Sequence, residues 1–434
     1  MIKTARRLFL SSIKICIKLT VTILFRLKQD KILSIFMGLT IILYNKNEID
    51  NKKKTGILAI KKLIFNDDLI ALKKYPSDYK ILLYPIPLKN SKTGKIRGMW
   101  PEEIQEQTAF YVQKEKYRDL FERCSKLFYD TLKFIETFSQ INVKIILTAN
   151  IDYWQDYPWI EAIHKKNGKF VVLEKESILY SSGITNRRLN RYKDYKFKYE
   201  GDVVLFYNEL AKESYLTTDS FKQNQSFVTG CPRVDMLTSL AEDKKDKNDF
   251  ILFATFMSPL HGPYKSVKLG NDILNIINKD KLLKSKTIIK CKDSVEAKNI
   301  KKTYPDLHVV SDTIFKYLKK NPAIFIGYNS TSCFDSLIAR IPTVVPLWGD
   351  AKKVGNDTLL GEHTSDFHLV AHDKEEFVKI LKSHLDSKDI KNYFTAESKW
   401  DHSELKKKIE TEYSPIDGKN RQRFFNVINR LNLK

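Results

Sequence analysis

From residue 226 onward, short apolar runs alternate with amphipathic stretches, and this rhythm constrains the fold more than any other feature of the chain. SFVTG (226–230) leads into a helical pattern over 233–240. FILFAT (250–255), TIIKC (287–291), LHVVS (307–311), AIFIGY (323–328) and TVVPL (343–347) are each followed by another, over 271–283, 294–302, 313–320, 330–340 and 374–385. Short, continuous runs rich in β-branched residues are what strands buried on both faces of a parallel sheet look like. Their regular alternation with helices predicts a doubly wound sheet. The same rhythm runs upstream through KILLYPIP (80–87), VKIILTA (143–149), KFVVLE (169–174) and DVVLFY (202–207), with helical patterns over 102–139, 158–167 and from Asn208. A chain of 434 residues has room for two such units. The expected fold is therefore α/β, with two Rossmann-like doubly wound parallel-sheet domains and an N-terminal amphipathic helical extension. Ligands of open α/β sheets bind outside the C-terminal strand ends, so the expected site lies where the two sets of ends face each other.

The boundaries that follow are an extension and linker over 1–54, an N-terminal Rossmann-like domain over 55–225, a C-terminal Rossmann-like domain over 226–400 and a helical tail over 401–434. In the extension, LFLSSIKICIKLTVTILF (8–25) has the apolarity of a membrane span, but Lys14 and Lys18 interrupt it. Each would cost about 2.5–3.5 kcal/mol at a bilayer centre. In helical projection Lys3, Arg7, Lys14 and Lys18 form one basic stripe, while Leu8, Ile15, Leu19 and Ile23 lie away from it. That pattern predicts a helix lying in the headgroup region of an anionic leaflet. A true span and a helix packed on the protein itself are the alternatives. The run Ile32 to Tyr44 is too short to span and reads as an interfacial or core element, and NKNEIDNKKK (45–54) as a polar linker.

The net charge of +23 favours polyanionic partners: nucleic acid, an anionic membrane face or phosphorylated substrates. No recognised nucleic-acid module accompanies it, and no nucleic-acid partner is expected. The five cysteines, Cys16, Cys124, Cys231, Cys291 and Cys333, are scattered without a CxxC, as in a reducing compartment. There is no D-x-D triplet, GxGxxG or GxxxxGK[ST]. These absences argue against a metal-dependent GT-A enzyme, a dinucleotide oxidoreductase and a P-loop NTPase. His368 and His372, four apart, are a weak metal pattern, and no metal site or cofactor is expected.

AIFIGYNSTSCFDSLIARIPTVVPLWG (323–349) is the most informative stretch for chemistry. A strand ends at Gly327, and Asn329, Ser330, Thr331 and Ser332 open a helix whose free amides suit a diphosphate. Asp335, a turn further on, is placed to accept from ribose hydroxyls. Read plainly, the same residues are helix caps. Lys290, at a strand's C-terminal end, is a candidate for stabilising a leaving phosphate. Arg233, at a helix start after Gly230 and Pro232, either meets a phosphate or braces the hinge through Asp235. For a base acting on an acceptor hydroxyl, Glu176 comes first, with Glu174 in reserve, because both follow KFVVLE. Asp152 and Asp156 are weaker candidates. Tyr153, Trp154 and Trp159 suit either sugar stacking or core packing. Ser311 and Asp312 read as caps.

NSTSCFDSLIARIPTVV resembles the donor-binding helix of GT-B glycosyltransferases, in particular bacterial capsule- and lipopolysaccharide-type surface-carbohydrate biosynthesis enzymes, distantly related to CDP-glycerol glycerophosphotransferases. VTGCPRVDML (228–237) is similar to their interdomain element, ILTANIDYWQDYPWIEAIHKKNGKFVVLEKES (146–177) to their acceptor-domain strand–helix–strand, and DGKNRQRFFNVI (417–428) to their terminal helix. The chain departs from the family pattern at Cys291, where a His-containing segment is common, and at Asp335, commonly Glu. The resemblance implies a metal-independent transferase moving a sugar from a nucleotide-activated donor to a glycan or lipid-linked acceptor. It also implies a cytoplasmic location, peripheral on the inner face of the plasma membrane through residues 1–45. A CDP-alcohol-dependent polyol-phosphate transferase, a non-catalytic membrane-bound assembly protein and a nucleic-acid-binding protein are the competing readings.

Overall fold

The computed structural model describes residues 16–17, 19–49, 54–60, 65–85, 115–149, 151, 154–174, 183–242, 248–256, 266–353, 368–386 and 402–431. Its strands form two six-stranded parallel sheets. The first contains β1 (Lys54–Ile60), β2 (Lys80–Tyr84), β3 (Ile141–Ala149), β4 (Lys169–Glu174), β5 (Val203–Phe206) and β6 (Ser226–Val228) in the order β2-β1-β3-β4-β5-β6. The second contains β7 (Asn248–Ala254), β8 (Thr287–Lys290), β9 (His308–Val310), β10 (Pro322–Ile326), β11 (Thr343–Pro346) and β12 (Leu369–Ala371) in the order β12-β11-β10-β7-β8-β9. The strand order reverses between β1 and β3 in the first sheet and between β7 and β10 in the second. At such switch points neighbouring crossovers run to opposite faces and leave a crevice at the strand ends. The central strands are apolar throughout; β10 and β11 are buried along their whole length, as expected of strands covered on both faces.

Among the described helices, those that bear on the site are α1 (Asp30–Tyr44), α2 (Asn66–Lys74), α3 (Arg118–Ser139), α4 (Pro158–His164), α5 (Val234–Glu242), α6 (Ser332–Ile338) and α7 (Asn420–Arg430). Trp159 of α4 is fully buried, stacked on Phe128 of α3 at 4.0 Å and edge-on to Tyr84 at 5.2 Å. It is core packing rather than a sugar platform. β1 and α2 are elements the sequence pattern did not single out; β1 begins at Lys54, at the end of the polar linker. Asn45, inside that linker, is buried and bonds the edge of β2, donating from Nδ2 to the Leu83 carbonyl (2.9 Å) and accepting from the Leu83 amide (2.8 Å). It completes the ladder as a strand residue would.

The extension is docked on the first domain. The helical residues 19–26 and α1 bury Val21, Phe25, Leu33, Met37 and Ile41 in the same core as Phe121 and Leu127 of α3. Arg123 fixes the turn between them, donating from Nε to Asp30 at 2.8 Å and from Nη2 to the Phe25 carbonyl at 2.6 Å. Lys3, Arg7, Lys14 and Lys18 of the basic stripe lie outside the described residues.

The chain returns to the first domain at its end. Phe425 of α7 stacks on Tyr75 (5.3 Å) and Tyr79 (6.2 Å), just beyond α2. VTGCPRVDML and DGKNRQRFFNVI meet there as two halves of one joint. Asp235 accepts from the amides of Asn420 (3.0 Å) and Arg421 (2.8 Å), and from Arg421 Nε (3.1 Å). Gly230 has φ +78°, and a Cβ there would sit 2.0 Å from Asn420 Oδ1. Only glycine combines that backbone with that approach.

Candidate functional site

Arg233 stands at the junction of the two domains, and its guanidinium gathers groups from four parts of the chain. Nη1 donates to Asp68 of α2 at 3.0 and 3.2 Å, and Nε to Asp335 of α6 at 3.1 and 3.2 Å. Nη2 donates to the hydroxyl of Tyr413, and Nη1 lies 3.4 Å from the hydroxyl of Tyr207, which itself donates to Asp68 at 3.1 Å. Tyr413 also donates to Asp335, at 3.1 Å. All five side chains are buried. Burial by itself pulls the guanidinium's pKa down, but Asp335 and then Asp68 outweigh it and hold the group well above the usual arginine range. Burial also pushes both tyrosines well above the usual range, so they remain donors.

This cluster corrects two expectations. Asp335, expected to meet ribose hydroxyls, is here engaged by Arg233 Nε and the Tyr413 hydroxyl. Arg233 braces the hinge, but through Asp68 and Asp335 rather than through Asp235. It is thereby occupied and is not a free phosphate ligand.

The remaining donor-side residues cluster at the β7/β10 switch point. Asn329 follows β10 in the left-handed region (φ +47°) and Thr331 is right-handed (φ −61°). Backbone amides left open in such a turn can bind an anion. Asn329, Ser330 and Thr331 are half-buried, and Ser332 is buried. Ser330 and Ser332 share a hydroxyl–hydroxyl bond of 2.8 Å, and Ser330 Oγ lies 3.3 Å from the Ser332 amide, the capping role. Among the described residues no group accepts from the amides of Ser330 or Thr331. The helix beyond is only seven residues long, so an anion there would depend on the turn's own amides more than on a macrodipole. Arg233 Nη2 lies 3.5 Å from Thr331 Oγ1, which places the turn beside the interdomain junction.

Lys290 ends β8, one strand from β7. Burial lowers its pKa, while Asp67 at the start of α2 in the other domain opposes that most strongly. The two residues thus feel each other across the cleft. On the Asp67 side a cavity of about 150 Å³ lies between the domains, with Asp67, Lys74, Arg233, Thr313, Lys316 and Asp335 in its lining. Its size takes part of a nucleotide-linked donor; pockets enclosing a whole drug-sized ligand run from about 300 Å³.

The base candidates fare differently. Glu176 and Asp152, with Tyr153, lie outside the described residues. Glu174 is 1% exposed; its Oε2 accepts from the Ile151 amide at 2.9 Å and its Oε1 lies 3.5 Å from the Tyr215 hydroxyl. It holds the chain beyond β3 in place. Asp156 is buried and accepts from Thr148 at 2.6 Å. Asp312 accepts from Lys316 (2.8 Å) and Tyr317 (3.0 Å). Asp67 and Asp68 belong to no motif of the sequence, although an acidic pair in the first turn of a helix is a detectable signal once β1 and α2 are recognised. His368 is buried and its pKa is pulled down to about 3 by that burial. No group of three or more His, Cys, Asp or Glu among the described residues could hold a metal ion.

No protein-family model matches the chain, and no curated protein matches it. Solved structures do. The wall teichoic acid polymerase TagF is similar over 96% of this chain and 97% of that chain, at 13% identity and a TM-score of 0.52. A single-residue variant of TagF matches over the same shares, also at 13% identity, with a TM-score of 0.51. At that identity the likeness is one of architecture: two Rossmann-like parallel-sheet domains joined across a cleft, the GT-B fold.

Proposed function

We propose that this protein is a GT-B-type glycosyltransferase that moves a sugar from a nucleotide-activated donor to a surface-polysaccharide or lipid-linked acceptor. The observation that carries this reading is the Asn329–Thr331 turn. It lies at the switch point of the second sheet, with unclaimed amides at Ser330 and Thr331, next to Arg233 of the interdomain junction. Amides fixed in advance stabilise a diphosphate without reorganisation, and the Lys290 ammonium offsets charge as the nucleotide leaves. Arg233, Asp68 and Asp335 hold the two domains in register around that point. The reading uses no resident cofactor. A polyol phosphate carried on CDP is the second reading, in keeping with the teichoic acid polymerase whose fold this chain shares.

A thermal-shift panel of UDP-, GDP-, CMP- and CDP-linked donors tests the proposal and separates the two readings. A donor present at a hundred times its Kd stabilises by about 2.7 kcal/mol. The S330W/K290A variant, which fills the turn and removes the ammonium, should melt near the wild-type temperature alone and lose the donor-dependent rise. An undiminished rise places the donor elsewhere.

The proposed location is the cytoplasmic face of an anionic membrane. Residues 19–26 and α1 leave Ile23, Leu27, Ile32, Ile35, Leu39 and Leu43 between 43% and 68% exposed. Arg26, Lys28 and Lys31 at the turn between them, and Lys46 beyond α1, are exposed as well. An apolar face rimmed by cations matches the boundary between acyl chains and anionic headgroups. Among the described residues no helix is long and apolar enough to cross a membrane.

A further inference from the structure

We infer that Asp67 is the general base that deprotonates the acceptor hydroxyl; the inference rests on the donor reading above. Three observations converge on it. The first is place. Asp67 lies in the first turn of α2, the helix that follows β1 in the chain, and β1 borders the β1/β3 switch point of the first sheet, where a ligand of that domain would lie. The second is elimination among the described carboxylates near the cleft. Asp68 and Asp335 are taken up by Arg233, and Glu174 and Asp156 are buried and bonded within the first domain. Asp67 is half-buried, lines the interdomain cavity, and no described residue bonds or ion-pairs with its carboxylate. The third is its counterpart. Asp67 is the leading charge felt by Lys290 from across the cleft, so base and leaving-group cation would flank the reacting centre from opposite domains.

The step balances with these two groups. An acceptor oxygen bonds the anomeric carbon of the donor as its proton passes to the Asp67 carboxylate. The bond from that carbon to the phosphate oxygen breaks, and its electron pair leaves with the nucleotide beside the Lys290 ammonium. A single displacement of this kind inverts the anomeric centre. Water serves as the simplest acceptor, so hydrolysis of the donor reports the same base.

The test uses the full chain and whichever donor of the panel gives the largest thermal shift. Free nucleotide released from that donor is measured across pH for wild type, Asp67→Asn and Asp67→Glu. Asp67→Asn should keep the donor-dependent thermal shift and the KM while kcat falls about 10²–10⁴-fold, the usual contribution of a positioned base. Asp67→Glu should recover part of kcat. Activity of Asp67→Asn within threefold of wild type overturns the assignment. So does loss of the donor-dependent shift in that variant, which would make Asp67 a binding residue. A wild-type protein that no donor stabilises sinks the donor reading itself, and the base with it.

Discussion

Replacing Arg233 with methionine should destabilise the joint between the domains more than any surface change. Methionine keeps much of the side chain's volume but leaves Asp68, 0% exposed, and Asp335, 4% exposed, facing each other without a cation. Removing one partner of a buried ion pair costs about 3–5 kcal/mol, because the remaining charge stays desolvated. Here one cation serves two carboxylates, so the upper part of that range applies. For domains of 150–250 residues each kcal/mol shifts the melting temperature by about 2–4 °C, so about 4–5 kcal/mol gives a fall of roughly 8–20 °C. Scanning calorimetry of the full chain at pH 7 reads this directly. The deficit should shrink in acid, where a carboxylate stranded in R233M takes up a proton and sheds its charge. Adding D335N to R233M should recover part of the loss, since one stranded charge disappears. If R233M melts within 2 °C of wild type, the cluster contributes nothing and the account of the joint is wrong.

Two further outcomes follow. The pKa of His368 lies near 3 in the folded protein, below its ordinary value of 6.5, so the unfolded chain binds a proton that the folded one refuses. Its contribution to stability is intact above about pH 6.5 and is lost as pH falls from there toward 3, at up to about 1.4 kcal/mol per unit. His368→Leu should flatten that acid limb in urea titrations between pH 7 and 4, and an unchanged slope would assign it to other groups. For the membrane face, replacing Ile23, Leu27, Ile35 and Leu39 with serine should weaken sedimentation with phosphatidylglycerol-containing vesicles at least tenfold without lowering the melting temperature. Equal binding by the serine variant would locate the contact elsewhere.

The order and kind of most elements were legible from the chain because both depend on neighbours. β4 (Lys169–Glu174) is a run of apolar residues between polar ones, and Asn208 caps the helix after β5 by accepting from the Ala211 amide at 2.7 Å, a contact within one turn. β1 was harder to see because KTGILAI follows a lysine-rich run that reads as linker, and α2 because NDDLIALKK is short. The Ser330–Ser332 turn was legible as a helix start for the same local reason.

What the residue order determined by itself was a two-domain parallel α/β chain with its informative turn after β10. Which carboxylates are spent and which is left over was decided only by packing. Arg233 meets Asp68 across 165 positions, Asp335 across 102 and Tyr413 across 180. Coulomb energy in a low-dielectric junction depends on distance in space, and no periodicity in the chain encodes it. That pairing ties Asp335 and Asp68 to Arg233, which acts as a brace, and leaves Asp67 as the carboxylate of the Asp67–Asp68 pair that lines the cavity between the domains.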